Sequence, residues 1–244
     1  MPPSTWLGLL PGSSARALPS LCAVCHGWGR GRVCAACIQR FAPALPRCAR
    51  CGLEVPAGSE SCGACLLAPP AYASTVAAVT YGYPWDRLVT GLKYRAALDL
   101  AAALAELLLN AGRRSPAAAP ALLIPVPLHA ARLRERGYNQ AWELARRLAG
   151  RLRCRADAAL LLRVRDTPHQ LALAPAGRAA NVRDAFAIEP RRRHELEGRA
   201  VTLVDDVMTT GATAAEIARV LLAAGAARVD LWVVARTPRG DENA

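Results

Sequence analysis

The chain has 244 residues, 53% of them hydrophobic, and a formal charge of +12. That supplies a sizeable core for one large domain, or for a small one plus a medium one. The longest apolar stretch, Leu98–Ala111, is interrupted by Asp99 and Glu106. A helical membrane span is therefore excluded. The N-terminus has no basic residue before Trp6–Leu10, and Pro11-Gly12 breaks that run, so no secretory signal is expected and the protein is expected in the cytoplasm.

Arginine supplies 30 of the 31 basic residues, and Lys93 is the only lysine. Such a skew is of the kind genomic base composition produces, and alone it is no nucleic-acid signal. The positive excess concentrates in His129–Arg199, with 16 arginines against 8 acids. A phosphate-facing basic surface and an ordinary solvated one both fit that segment.

Residues 1–20 read as a short apolar segment with a brief helix. Four Cys-x-x-Cys pairs follow: Cys22/Cys25, Cys34/Cys37, Cys48/Cys51 and Cys62/Cys65, separated by 8, 10 and 10 residues. Each pair can present two thiolates to one metal, and two pairs close a tetrahedral site. Few large apolar residues lie between them, so metal must hold the segment together. Disulfides are the alternative, and a reducing cytoplasm disfavours them. The expectation is two structural Zn²⁺ sites, paired sequentially or cross-braced, with the sequential order preferred. Four thiolates leave no open position for catalysis. With eight thiolates on two zinc ions the net charge falls to about +8. His26 is surplus to a complete ligand set.

Leu66–Ala73 reads as a linker. Beyond it the pattern predicts a strand over Thr75–Tyr81, and a helix over Trp85–Tyr94 with Leu88, Val89 and Leu92 inward. A second helix is predicted over Asp99–Asn110, stopped by Gly112, then a loop over Arg113–Pro120. Ala121–Val126 is a buried strand. After it, Arg132, Arg136, Asn139 and Gln140 cluster ahead of a helix that runs to about Leu152 and carries Trp142 towards the core. Cations and amides beyond a strand's carboxyl end suit a pyrophosphate or a phosphodiester. Ala158–Arg163 is a further strand. Thr167–Phe186 is irregular and brings Arg178, Asn181 and Arg183 close together, as a flap over a site or a surface hairpin. Arg191-Arg192-Arg193 reads as a solvated turn.

The most informative stretch is Val201–Thr213, VTLVDDVMTTGAT. A buried strand, Val201–Val204, leads to Asp205 and Asp206, then to the turn Thr209-Thr210-Gly211-Ala212-Thr213. A helix follows, with Ile217, Val220, Leu221 and Ala224 on one face and Gly225 as its stop. Two carboxylates at a strand's end can accept hydrogen bonds from vicinal hydroxyls. A small-residue turn at a helix N-terminus offers backbone N–H groups and the positive end of the dipole to a phosphate. Val229–Val234 then closes a right-handed βαβ crossover.

These thirteen residues resemble the phosphoribosyl-pyrophosphate (PRPP) motif of type I phosphoribosyltransferases. Nearly all of residues 20–236 resemble the ComF family of competence-associated proteins, also called ComF/GntX. That resemblance rests on five pieces in order. They are the Cys-x-x-Cys pairs; Leu92-Lys93-Tyr94; Val126-Pro127-Leu128 with Arg132 and Arg136–Gln140; Thr167, Gln170, Arg178, Asn181, Arg183 and Phe186; and Val204–Thr213. It implies an α/β type I phosphoribosyltransferase fold, a mostly parallel sheet flanked by helices, preceded by a small cysteine-rich double zinc ribbon. The implied boundaries are 1–20 for the apolar segment, 21–68 for the ribbon and 69–240 for the phosphoribosyltransferase-like domain.

By similarity, Asp205 and Asp206 would bind the ribose hydroxyls as the catalytic pair, and Val207, Met208 and Thr209–Thr213 would complete the PRPP site. Arg132, Arg136, Asn139, Gln140, Arg178, Asn181 and Arg183 would face pyrophosphate, an acceptor or DNA. Mg²⁺ would ride on the pyrophosphate. The resemblance also implies a role in DNA uptake during natural transformation, or in use of external DNA. Three functions remain open at this point. One is pentosyl transfer to an acceptor the sequence does not reveal. Another is a single-stranded DNA-binding accessory working with other DNA-uptake proteins. The third is a PRPP-responsive adaptor without chemistry.

Overall fold

The computed structural model describes residues 19–115, 119–165 and 182–238. The cysteine-rich segment contains two two-residue strands, β1 (Ser20–Leu21) and β2 (Trp28–Gly29), and two short helices, α1 (Ala35–Phe41) and α2 (Gly63–Leu67). After it come β3 (Ser74–Thr80), α3 (Trp85–Tyr94), α4 (Leu100–Arg114), β4 (Leu122–Pro125), α5 (Ala130–Arg136), α6 (Gln140–Leu152) and β5 (Arg155–Ala156). A small hairpin of β6 (Leu161–Arg163) and β7 (Phe186–Ile188) leads to a 3-10 helix, Pro190–Leu196. The chain then forms β8 (Ala200–Met208), α7 (Ala212–Ala223) and β9 (Arg228–Arg236).

Five strands form one parallel sheet in the order β3-β9-β8-β4-β5. Its central strands are apolar on both faces, as parallel strands covered on both sides must be. Along β8, Val204 faces α4 and α6, while Val201 and Leu203 face α7 and the β6–β7 hairpin. Along β9, Trp232 and Val234 join the first face, and Leu231 and Val233 the second.

The two halves of the cysteine-rich segment straddle the β3 edge. Cys22 and Cys37 are buried with α3 and α4 on one face, and Cys48 and Cys51 with α7 on the other. The segment also bonds the β3 edge at one point, where Thr75 donates its backbone N–H to Ala49 O at 2.9 Å. The Trp85 indole N–H donates to Phe41 O at 2.7 Å and ties α3 to the end of α1.

Several local expectations need correction. The helix predicted to stop before Gly112 runs through it to Arg114. Gly112 is there because the Trp232 indole fills the space a side chain would need. The predicted linker contains Tyr72, which is 2% exposed and packed beside Cys48 and Cys51. Trp142 is half-buried against the core rather than enclosed in it. The Ala158–Arg163 strand is shorter than predicted and lies in the hairpin, outside the main sheet. The brief helix predicted within residues 1–20 falls almost wholly outside the described residues.

Arg191–Arg193 is not a simple solvated turn. Arg192 binds Asp157 and also meets Glu195 at 2.7 Å, while Arg155 reaches Asp157 at 2.6 Å and Glu195 at 2.8 Å. This network pins the 3-10 helix to the end of β5. Burial opposes the Asp157 charge, but Arg192, the Ala159 N–H and Arg155 outweigh it and hold its pKa down at about 2. A depressed folded-state pKa means the network contributes fully above the ordinary carboxylate range and is lost as pH falls towards about 2. Acid unfolding of wild type followed by circular dichroism should therefore steepen below about pH 4. An Arg192→Ala variant should lose much of that slope.

Candidate functional site

The site is organised by an asymmetry in β8. On one side its pairing with β9 continues to Met208, opposite Arg236. On the other, pairing with β4 stops at Val204, opposite Pro125, after one last bond from Val126 N to Val204 O at 2.9 Å. The next rung is not made: Val126 O accepts from Asn139 Nδ2 at 3.0 Å and the Asp206 N–H turns to Asp205 Oδ1, and the chain turns away towards α5. Beyond Val204 one flank of β8 is open, at the carboxyl ends of the strands where crevices form in parallel sheets. Asp205 and Asp206 lie on that half-open stretch. They are inside the strand, not after it as the sequence pattern suggested, because β9 keeps the extended conformation going.

A cavity of about 460 Å³ opens here. It is lined by Asp205–Ala214 from β8 and α7, by Lys93 and Tyr94 from α3, and by Arg132, Arg136 and Gln140 from the α5–α6 region. Asp206 is buried, and Lys93 Nζ stands 2.9 Å from its Oδ2. Lys93 is the cation that compensates this buried carboxylate, and a carboxylate has lone pairs left to accept from a ligand hydroxyl. Asp205 Oδ1 accepts from the Asp206 N–H at 2.8 Å. Burial and the neighbouring Asp206 charge push the Asp205 carboxyl well above its ordinary range. Burial opposes the Lys93 charge, but Asp206 and Asp205 outweigh it and raise its pKa.

Past Met208 the chain enters the turn, and Gly211 takes φ +85° as the N-cap of α7. That left-handed conformation favours glycine. A Cβ there would lie 2.6 Å from Met208 Cε and 2.9 Å from the Tyr72 hydroxyl oxygen. The Thr210 hydroxyl accepts from the Ala212 N–H at 3.3 Å. The first turn of α7, with the positive end of its dipole, thus opens into the cavity next to the carboxylates.

The other predicted residues divide. Arg132, Arg136 and Gln140 line the cavity, and the Arg136 guanidinium lies 5.2 Å from the centroid of the Tyr94 ring. Asn139 is not among the lining residues. Its Oδ1 accepts from the Ala141 and Trp142 N–H groups, and its Nδ2 donates to Val126 O at 3.0 Å, so it caps α6 and anchors the loop after β4. Arg183 is exposed beside Glu216 of α7, away from the lining. Arg178 and Asn181 lie outside the described residues. Lys93, Tyr94, Arg163 and Tyr81 line the cavity without having been singled out as site residues. For Lys93 the signal was available: it is one lysine among 30 arginines.

The cysteines gather as two groups, Cys22/Cys25/Cys34/Cys37 and Cys48/Cys51/Cys62/Cys65, so the pairing is sequential. Within each group all sulfurs lie within 4.8 Å of one another. Cys22–Cys37 and Cys25–Cys34 are 3.8 Å apart and Cys51–Cys62 3.6 Å. Tetrahedral zinc with sulfur at about 2.3 Å has sulfur–sulfur edges of about 3.8 Å. The donor sets therefore fit two zinc ions, each held by four thiolates. Burial works against a Cys22 thiolate, but backbone N–H groups of Cys25, Cys34 and Val24 outweigh it and lower the pKa to about 6. The equivalent Cys48 is lowered to about 7 against burial by N–H groups of Cys51, Cys62 and Arg50.

The fold and these two features define a class, a type I phosphoribosyltransferase fold preceded by paired four-cysteine metal centres. Residues 136–244 match the phosphoribosyl transferase domain family. The chain is 36% identical over 230 residues to the DNA utilization protein YhgH of Salmonella typhimurium, covering 90% of this chain and 98% of that one. It is 32% identical over 222 residues to competence protein F of Haemophilus influenzae, covering 88% and 96%. The chain belongs to this ComF/GntX family. Among solved structures, the glutamine PRPP amidotransferase from B. subtilis aligns over 55% of this chain and 26% of its own, at 22% identity and a TM-score of 0.34. No helix among the described residues is long and apolar enough to cross a membrane.

Proposed function

We propose that the cavity at the end of β8 binds Mg-PRPP, and that the protein is a phosphoribosyltransferase-like component of the uptake or use of external DNA in the cytoplasm. The observation that carries the binding proposal is an acidic pair, Asp205 half-buried and Asp206 buried against Lys93, directly ahead of a glycine-opened helix N-terminus in one cavity. The names of the relatives, DNA utilization protein and competence protein F, support the physiological setting.

In this reading Asp205 and Asp206 accept hydrogen bonds from the ribose hydroxyls, and residues 207–213 wrap the 5′-phosphate with backbone N–H and threonine hydroxyl donors. Arg132, Arg136 and Gln140 face the pyrophosphate. Mg²⁺ bound to the pyrophosphate supplies charge neutralisation. Transfer consists of a nucleophile forming a bond to C1 while the C1–O bond breaks and pyrophosphate leaves with the electron pair. The chain's own contribution is positioning and electrostatic stabilisation of the oxocarbenium-like state. The two zinc ions are structural, since four thiolates saturate each.

A second reading starts from the arginine excess of residues 129–199, which fits a phosphate-facing surface as well as a solvated one. There the protein binds single-stranded DNA beside other uptake proteins, and PRPP acts as a signal. Pyrophosphate release on adding an acceptor separates transfer from sensing.

The test is equilibrium binding of Mg-PRPP to zinc-loaded wild type and to an Asp205→Asn/Asp206→Asn variant. Removing the charges while keeping the shape should weaken binding by about 100-fold or more, as two charge-assisted hydrogen-bond acceptors are lost. Equal affinity in the two proteins would remove the acidic pair from the site.

A further inference from the structure

We propose that Arg236 is a positioning residue for the phosphate turn, and that the second cysteine cluster is built into the support of that turn. Metal at Cys48/Cys51/Cys62/Cys65 then sets the conformation of Thr209–Thr213, while metal at the first cluster does not. The functional meaning rests on the PRPP reading above; the mechanical claim does not.

Arg236 ends β9 and is 5% exposed. Its Nε donates to Cys51 O at 2.9 Å. Its Nη1 donates to Met208 O at 3.2 Å, to Thr209 O, and to Thr237 O at 2.7 Å. One planar guanidinium therefore joins the backbone of a zinc ligand to the backbone of the turn. Arginine is suited to this task, because its fork of fixed donors holds several acceptors at once.

A second connection runs through Tyr72. It packs with Cys48, Cys51 and Met208 in one apolar cluster, and its hydroxyl stands against Gly211. The strand side is equally tight. A Cβ on Gly52, the residue after Cys51, would meet Thr75 Cγ2 at 3.0 Å and Ala77 Cβ at 3.2 Å. The knuckle carrying Cys51 is thus pressed onto the sheet and cannot move without dragging Arg236 or Tyr72. The first cluster has a different setting. Cys22 and Cys37 pack with α3 and α4 on the opposite face.

The consequence is reciprocal. If metal at the second cluster orders the turn, a ligand that orders the turn must hold that metal more tightly, by linkage. Replacing Arg236 breaks the connection without touching a cysteine.

The experiment is hydrogen exchange by mass spectrometry on the zinc-loaded full chain without ligand, reading peptides across 205–213 and, as a control, across α6. Arg236→Met should speed exchange in 209–213 by about tenfold or more while α6 stays unchanged and two zinc ions remain bound. Arg236→Lys should behave like Arg236→Met, because an ammonium cannot span both sets of carbonyls. Cys62→Ser/Cys65→Ser should loosen the turn in the same way, and Cys25→Ser/Cys34→Ser should not. In wild type, Mg-PRPP should slow chelator extraction of the second zinc and leave the first unchanged. Unchanged exchange in Arg236→Met at full zinc content would overturn the proposal, as would equal loosening by the two cysteine variants. If the second-cluster variant does not fold, Arg236→Met and the first-cluster variant decide the matter. Failure of wild type to bind Mg-PRPP would sink the functional reading and leave the exchange result standing.

Discussion

Stripping both zinc ions with a chelator unfolds residues 20–67 and lowers the melting temperature of the remainder. The regular structure in that segment is two two-residue strands and helices of 7 and 5 residues. Helices that short do not hold in water without outside support. The segment's buried side chains are Val33, Leu53 and four of its own cysteines. Structural zinc contributes about 10–16 kcal/mol per site in small modules, far more than this burial can. The effect must spread, because Cys22 and Cys37 belong to one core cluster of the sheet and Cys48 and Cys51 to the other. The β3 edge also loses the bond from Thr75 N to Ala49 O. Zinc analysis, limited proteolysis and thermal melts on the same sample provide the check. An apo-protein with unchanged protease resistance and melting would contradict the assignment of these sites as structural.

Gly112→Ala destabilises the protein by about 2–3 kcal/mol. The sign is decided by two opposed effects. Alanine in a helix interior is favoured over glycine by about 1 kcal/mol. Against that, the new Cβ would stand 2.2 Å from Trp232 Cη2, 2.6 Å from Cζ2 and 2.8 Å from Cζ3. The obstacle is a rigid ring, 4% exposed, on the second strand of the sheet. Neither the ring nor α4 can yield without opening the core, so overpacking outweighs propensity. A double-mutant cycle with Trp232→Phe gives the check. Shortening the ring should recover most of the loss caused by Gly112→Ala, and strictly additive effects would contradict the packing argument.

The same glycine illustrates what the sequence could and could not reveal. Read locally, Gly112 stops a helix; only the position of Trp232, 120 residues away in the chain, makes it a packing residue. Metal ligation is local chemistry, so the four Cys-x-x-Cys pairs were legible. Their pairing was not, since spacing allowed two arrangements and the fold chose the sequential one. The turn at Gly211 and the helix after it were legible because their conformational demands are written in adjacent residues. The end of β8 was misplaced because it depends on a neighbour. With β4 alone the strand would stop at Val204, and β9 carries it to Met208. Arg236 and Tyr72 gave no local signal, and the bond from Arg236 to Cys51 spans 185 residues of sequence. Tyr72 lay in a Pro- and Ala-rich stretch that reads as a linker.

The central claim is that the cavity before α7 is a PRPP site. The most direct test is a calorimetric titration of the zinc-loaded wild-type chain with Mg-PRPP. The account predicts saturable binding at one site per chain, competed by ribose 5-phosphate, which presents the same hydroxyls and phosphate to Asp205, Asp206 and residues 209–213. No saturable binding to zinc-replete protein would contradict it.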